Sequence, residues 1–437
     1  MVNQLVLDEL FQRWPENKIN PSLDRIKLLL DHLGNPQNGP KAIHVAGTNG
    51  KTSTSRMIER LFHSLDLRTG LYTSPHLIHP RERISIDGKP ISENLFIETY
   101  ENVKPLLDLI EGDNTSSPLT FFEVLTAMAF VVFADTPVDV ISLEVGMGGK
   151  WDATNVLIPE VSVITPIDFD HQEYLGNTIE LIAAEKAGII KEQIPVVVTN
   201  QRKEAAKVIL EKALEMNATV FREEIEFAVI DRTMGLGGQQ LTIVTPFGKH
   251  EELFLPLYGS HQASNAAAAL TAIEVFFDRQ IEDNIVRDTF AEFSSPGRME
   301  VLKRNPTIVV DAAHNPAGVK TTKAALKESF NFDNLILILA VMKDKDVKDM
   351  LNEISGTANT IIITKTRSER AMPIEELIEM AKKIPNVAKQ VISANDSKEA
   401  LDLALDLAKN SNGIAGIVGL GSVVLAGELT SYLKGKP

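Results

Sequence analysis

Residues 42–62, AIHVAGTNGKTSTSRMIERLF, leave few choices of fold. A short β-like run, 42–46, enters a turn bounded by Gly47 and Gly50, and Lys51 opens a helix with apolar residues at Met57, Ile58, Leu61 and Phe62. That order is the strand–turn–helix joint of a sheet covered by helices. Glycine permits backbone conformations closed to other residues, and the free N–H groups and dipole of a helix start attract an anion. Lys51 adds a full positive charge, and Thr52, Ser53 or Thr54 offers a hydroxyl to a metal or phosphate oxygen. The strict spacing G-x-x-x-x-G-K-[ST] needs glycine at position 45, where this chain has Val45. The stretch therefore reads either as a phosphate cradle or as a joint with a surface lysine. Strand, glycines, lysine, hydroxyls and helix coincide, which favours the cradle.

The rest of the chain repeats the alternation. After a helical segment at 21–33, strands are expected at 42–46, 138–144, 161–165 and 195–199, with helices at 52–65, 121–133, 178–190 and 204–215. The strand runs are apolar on both faces, as in a parallel sheet covered on both sides. Residues 225–255 alternate and contain glycine, which predicts a small antiparallel excursion, and an alanine-rich helix follows at 261–277. A second α/β block has strands at 307–311, 335–340, 360–364 and 414–420, and helices at 318–330, 347–353, 373–383 and 397–409. The boundary is placed near residues 296–300.

Open α/β sheets bind ligands beyond the carboxyl ends of their strands, so the residues there carry the chemistry. Ser74 follows a strand at 69–73 and precedes Pro75, as a turn serine or as a metal or phosphate ligand. Glu144 ends an apolar strand before VGMGGKWDATN; burying its charge requires a counter-ion, either a hard cation such as magnesium or a basic side chain. Asp168, Asp170 and His171 follow the next strand. Lys186 lies in the following helix, as a surface charge or reaching back to an anion. In the second block Asp311 ends a strand, with His314 and Asn315 before Pro316; Asn315 suits a helix cap and Pro316 a first helical position. The late G-x-G at Gly419 and Gly421 has Val424 in place of a third glycine, and the chain ends at Pro437 before an acidic ribose partner could follow, so a nicotinamide-dependent oxidoreductase fails on spacing.

Composition narrows the class. The chain has no cysteine, which excludes disulfides, thiolate metal sites and cysteine nucleophiles. A formal charge of −15 argues against a nucleic-acid partner. An anionic small substrate requires positive charge gathered locally, for which Lys51, Arg81 and Arg83 are the candidates. No apolar run reaches membrane-spanning length and the first residues lack a secretion signal, so a cytoplasmic location is expected.

Taken in order, AGTNGKT, YTSPHL, RERI, FFE, EVGMGGKWDATN, DFDHQEYLG, EKAGIIK, GSHQASN, PGRME and DAAHNP resemble the folylpolyglutamate synthase family, including bacterial members that also act as dihydrofolate synthases, within the Mur ligase superfamily. The resemblance covers nearly the whole chain. It implies a mostly parallel-sheet P-loop ATPase domain at 1–296 and a smaller Rossmann-like domain at 297–437, with ATP-dependent addition of L-glutamate to a reduced folate or dihydropteroate through an acyl phosphate. It implies Thr48, Asn49, Gly50, Lys51, Thr52, Ser53, Asn265, Arg298 and Asp311 on ATP, and Ser74, Glu144 and His171 on magnesium. Lys186 matches a lysine that is carbamylated in the family, and His314 lies near the reaction. Asn20, Pro21, Phe122, Glu123, Trp151, Asp152 and Ala153 match the substrate side, and a monomer is expected. The family usually reads GTNGKG, so Thr52 leaves open whether it or Ser53 is the phosphate and metal hydroxyl. A Mur ligase of peptidoglycan assembly is disfavoured because 46 residues before Gly47 are too few for a nucleotide-sugar domain. A non-catalytic nucleotide-binding regulator on the same scaffold is the other alternative, against which stand the complete metal set and the second block.

Overall fold

The structure is a computed structural model that describes residues 2–12, 21–112 and 118–435. Three sheets follow one another along the chain. The first contains β1 (Lys41–Ala46), β2 (Thr69–Tyr72), β3 (Ile84–Ile86), β4 (Lys89–Pro90), β5 (Val140–Glu144), β6 (Val161–Ile164), β7 (Val196–Val198) and β8 (Val220–Arg222). Its order is β4-β3-β2-β5-β1-β6-β7-β8, parallel from β2 to β8 with β3 and β4 added antiparallel at one edge. The antiparallel excursion expected at 225–255 is a three-stranded sheet, β9 (Ala228–Gly235), β10 (Gly238–Val244) and β11 (Lys249–Leu255). The third sheet contains β12 (Glu300–Arg304), β13 (Thr307–Val310), β14 (Asn334–Leu339), β15 (Ala358–Ile363), β16 (Ala388–Ser393) and β17 (Ala415–Leu420), in the order β12-β13-β17-β14-β15-β16, with only β12 antiparallel.

The central strands are buried along their length because helices cover both faces. On one face Tyr72, Val124, Phe130 and Leu143 share a core with the helix Phe121–Asp135. On the other, Met57 and Phe62 of the helix Lys51–His63 meet Ala266, Ala269 and Leu270 of the helix Ser260–Phe277. Small alanine side chains let those two helices approach closely. The third sheet has its own cores on its two faces, one around Val309 and Leu337, the other around Ile338 and Leu425. No helix among the described residues is long and apolar enough to cross a membrane.

The helix expected at 178–190 is broken: Ile179–Lys186 is α-helical and Ala187–Ile189 tightens into a 3-10 turn. There Gly188 lies against the backbone of Lys150, where a Cβ would sit 2.5–2.8 Å from Lys150 atoms. Among the elements absent from the sequence reading are the half-exposed edge strands β12 and β16 and the helix Glu93–Gly112, which carries Pro105 inside it. Weak alternation and an interior proline hide such elements from pattern reading.

Because β2, β5, β1 and β6 are parallel neighbours, their carboxyl ends open on one edge. The turn at 47–50, Ser74, Glu144 and the segment 165–171 are thus brought together.

Candidate active site

The turn after β1 is held by close contacts that exclude side chains. At Gly47 (φ +153°) a Cβ would lie 1.9 Å from the Thr165 hydroxyl, and at Gly50 (φ +89°) one would lie 2.6 Å from Asn265 Oδ1. The Asn265 amide, itself donating to Gln262 (3.1 Å), is pressed onto the turn. Thr48 straps it to the neighbouring strand end: its hydroxyl donates to Asp168 O (3.0 Å) and accepts from Asp168 N (3.1 Å). Gly50 is the N-cap of the helix Lys51–His63 and has no side chain to satisfy the first N–H groups, which leaves them for an anion.

Two ammonium groups converge on one carbonyl. Lys51 Nζ donates to Gly47 O (3.1 Å) and Thr48 O (3.3 Å), and Lys186 Nζ donates to the same Gly47 O (2.8 Å). Burial lowers the pKa of both; for Lys51 the nearby Glu144 and Asp170 oppose that effect. Lys186 is lowered to about 7, first by burial and then by the charge of Lys51.

Glu144 is 1% exposed. Its Oε1 accepts from the Thr52 hydroxyl (2.9 Å) and its Oε2 from Ser74 N (3.2 Å). Burial raises its pKa, opposed by Lys51, Thr52, Arg298 and Ser74. Arg298 donates to Thr52 Oγ1 (3.2 Å), so one threonine hydroxyl joins the β5 carboxylate to the segment leading into the third sheet. Ser53 is turned away, 3.4 Å from the Ser295 hydroxyl.

The third sheet delivers the opposite wall. Asp311, just after β13, is buried; it accepts from Met299 N (2.8 Å), Ala313 N (2.8 Å) and the Thr322 hydroxyl (3.0 Å), and so fixes the loop that carries His314 and Asn315. Asn315 caps the helix Pro316–Ser329 through Gly318 N (2.8 Å), as its position before proline predicts, and also donates to Asn49 Oδ1 (3.1 Å) and Asp170 Oδ2 (3.1 Å). His314 Nε2 lies 3.4 Å from Asp170 Oδ2, and Lys345 Nζ donates to Asp170 Oδ1 (2.7 Å). Burial is the largest influence on Asp170 and raises its pKa, but His314, His171 and Lys345 together outweigh it and hold the carboxyl well below its usual range. His171, adjacent to Asp170, has its pKa lowered to about 3, chiefly by burial.

Among the described residues no group of three or more His, Cys, Asp or Glu side chains is close enough to hold a metal. A cation here would draw on Glu144, the Ser74 hydroxyl and the His171 ring, with the Thr52 hydroxyl and ligand phosphate oxygens beside them. That suits magnesium, which takes one or two carboxylates and substrate phosphates. His171 stands on the Asp170 side, against Lys345.

The residues expected on the substrate side divide. Phe122 lies over Gly146 and 5.9 Å from the Tyr72 ring, and Trp151 is 46% exposed beneath the Lys150 ammonium. Asp152 is buried and its carboxylate holds the 146–154 loop by accepting from Met147 N (2.8 Å) and Thr154 N (3.0 Å), with Ala153 buried beside it. Glu123 is occupied within the protein, by Thr120 N (2.8 Å) at the helix start and by Arg25 (3.0 Å). Pro21 is exposed, and Asn20 lies outside the described residues. Arg83 is buried, donates to His76 (3.0 Å) and lies over the Phe121 ring, and Arg81 donates to Ile91 O (3.0 Å).

Lys345 was not singled out by the sequence reading. Its setting, VMKDKDVKDM, looks like a solvated charge run, yet it follows the end of β14 as Asp311 follows that of β13. The strand-end rule applied to β14 would have found it.

Comparison with known proteins places the chain in a family. Residues 45–273 match the Mur ligase middle domain family, and residues 297–422 match the Mur ligase glutamate ligase domain. The chain is 44% identical to the dihydrofolate synthase/folylpolyglutamate synthase of Mycobacterium tuberculosis, across 98% of this chain and 93% of the relative. It superimposes on a Mycobacterium tuberculosis folylpolyglutamate synthase complexed with ADP and AMPPCP with a TM-score of 0.94 at 43% identity, covering 99% of this chain and 98% of the other. Escherichia coli FolC in complex with DHPP and ADP matches with a TM-score of 0.86 at 25% identity, over 100% and 98%.

Proposed function

The chain belongs to the folylpolyglutamate synthase/dihydrofolate synthase branch of the Mur ligases, ATP-dependent enzymes that add glutamate to folates, and from that premise we propose how its own residues carry out the ligation. The chain works as two domains, 1–296 and 297–437, with ATP held between them. The triphosphate lies on the turn at Thr48, Asn49 and Gly50 and the helix start at Lys51 and Thr52, while Asn265, Arg298 and Asp311 hold the remainder of the nucleotide. The acceptor, a reduced folate or dihydropteroate, lies toward Phe122 and Trp151. Support for an acceptor beside the nucleotide comes from the E. coli relative, whose complex carries DHPP and ADP together.

Amide formation in water requires that a carboxylate oxygen be made a leaving group. The acceptor carboxylate attacks the γ-phosphorus of ATP, the bond to the β-phosphate oxygen breaks, and ADP and an acyl phosphate result. The amine of L-glutamate attacks the acyl carbon, loses a proton, and inorganic phosphate departs. Lys51 offsets charge on the transferring group, and fixed positive charge of this kind is the main assistance proteins give to phosphoryl transfer. Ser74, Glu144 and His171 would hold magnesium, whose charge offsets that of the triphosphate. His314 and Asn315 close the site from the other domain, because an acyl phosphate left in water hydrolyses.

Lys186 is carbamylated in the working enzyme: the neutral amine attacks carbon dioxide, an N–C bond forms, a proton is released, and a carboxylate oxygen pair replaces the ammonium. An amine with a pKa of about 7 beside Lys51 supports this, since a carbamate turns a repulsive neighbour into an attractive one. The neutral fraction grows with pH, so carbon-13 NMR with labelled bicarbonate should show a carbamate signal that rises between about pH 6 and about pH 8. The signal should vanish in Lys186→Arg. A signal of constant intensity across that window, or one that survives the substitution, contradicts the modification.

The single observation behind this reading is that Lys51 and Lys186 converge on Gly47 O at the strand ends that carry Ser74 and Glu144, with His314 set against Asp170 after the next strand. Its test is a coupled ADP-release assay with dihydropteroate, tetrahydrofolate and a UDP-muramyl acceptor, each with and without L-glutamate. Release should require L-glutamate together with a pterin acceptor. Release supported by the muramyl acceptor, or independent of any acceptor, contradicts it.

A further inference from the structure

The two oxygens of Asp170 are divided between two kinds of contact. Oδ2 receives Asn315 (3.1 Å) and faces His314 (3.4 Å), whereas Oδ1 receives Lys345 (2.7 Å). The Lys345 ammonium also stands 3.4 Å from His171 Nε2, donating toward the lone pair of the ring. Its side chain is 7% exposed, and Asp170 and His171 are the partners it reaches.

The loop that carries Lys345 is fixed. Arg370 binds Asp344 (2.8 Å), Arg370 O accepts from Lys343 N (2.9 Å), and Asp346 caps the helix Val347–Ile354 through Asp349 N (3.1 Å). The ammonium is therefore placed by its own sheet and presented to the other block, rather than drawn in from a flexible arm.

An imidazole nitrogen has one lone pair. If it accepts from Lys345 it cannot bind a cation, and a dication entering there meets the positive charge of Lys345 and, across the site, of Lys51. We propose that Lys345 is a resident cation of the His171 side of the site, a positioning residue that must withdraw when a divalent metal loads. Withdrawal frees Asp170 Oδ1 and breaks one cross-block contact while Asn315 and His314 keep Oδ2. Metal loading and loosening of the two blocks are then one event. The proposal rests on the reading of His171 as a metal ligand.

The test is Mn2+ binding to the full chain without nucleotide, read from the EPR signal of free Mn2+, with the radius of gyration followed by X-ray scattering. Lys345→Met should bind Mn2+ roughly ten-fold more tightly than the natural chain, and adding His171→Ala should abolish that gain. Lys345→Gln, which keeps a neutral donor for Asp170, should show the same gain and stands in if the methionine variant does not fold. Mn2+ should alter the radius of gyration of the natural chain but not of Lys345→Met. Equal affinity in the natural chain and both Lys345 variants, with His171→Ala weakening all of them, overturns the proposal and leaves the metal reading intact. Binding indifferent to His171→Ala overturns both.

Discussion

Lys51→Met should lose ligation by at least about a thousand-fold in kcat while remaining folded, because the lysine acts on charge that develops during transfer. The turn does not depend on it for shape. Thr48 and Asp168 exchange two hydrogen bonds, and Pro166 O accepts from Thr48 N (2.9 Å), all of which persist in the variant. Removal has a second consequence through Lys186. The charge of Lys51 is one cause of the low pKa of Lys186, so its loss moves that amine back toward protonation and against carbamylation. Circular dichroism and the ADP-release assay check the two halves of the expectation. Near-normal glutamate addition by the variant contradicts the role.

Glu144→Gln is the second. Glutamine preserves the shape and both local contacts, an acceptor for Ser74 N and a partner for the Thr52 hydroxyl, but removes the charge a cation requires. Ligation should fall by about a hundred- to a thousand-fold, and added magnesium should not restore it. Stability should move the other way. Burial raises the carboxyl pKa, so the folded protein binds a proton there more readily than the unfolded chain. That contribution is present below the unfolded value of about 4.5 and is lost as pH rises through the folded one. Near pH 7 the natural chain keeps a costly buried charge, and Glu144→Gln should melt at the same temperature or higher. The gap should close as pH falls toward about 4.5. A strongly destabilised Gln variant contradicts this account of Glu144.

What could be read from the sequence follows the range of the interactions. The turn at Gly47–Gly50, Glu144 at the end of β5 and Asn315 as a helix cap depend on neighbours a few residues away, and pattern reading places all three. Glu123 with Arg25 spans 98 residues and Lys345 with Asp170 spans 175, and no local pattern says which residue pairs with which. The rotation of a helix about its axis is likewise set by packing. Met57 and Phe62 anchor the helix Lys51–His63 in the core, and that rotation turns Thr52 toward Glu144 and Ser53 toward Ser295. Arg83 reads in sequence only as a candidate positive charge; that it is buried against His76 and the Phe121 ring is set by tertiary contacts, the latter distant along the chain.

The central claim is that a metal-bound triphosphate lies where β1, β2, β5 and β6 end. Anomalous diffraction from crystals grown with Mn2+ and AMPPCP tests it most directly. A peak in bonding contact with Glu144 and the Ser74 hydroxyl, beside phosphates on the helix start at Lys51, is the predicted result. Phosphates bound elsewhere, or a manganese peak away from Glu144 with its bonds to Thr52 and Ser74 undisturbed, contradicts it.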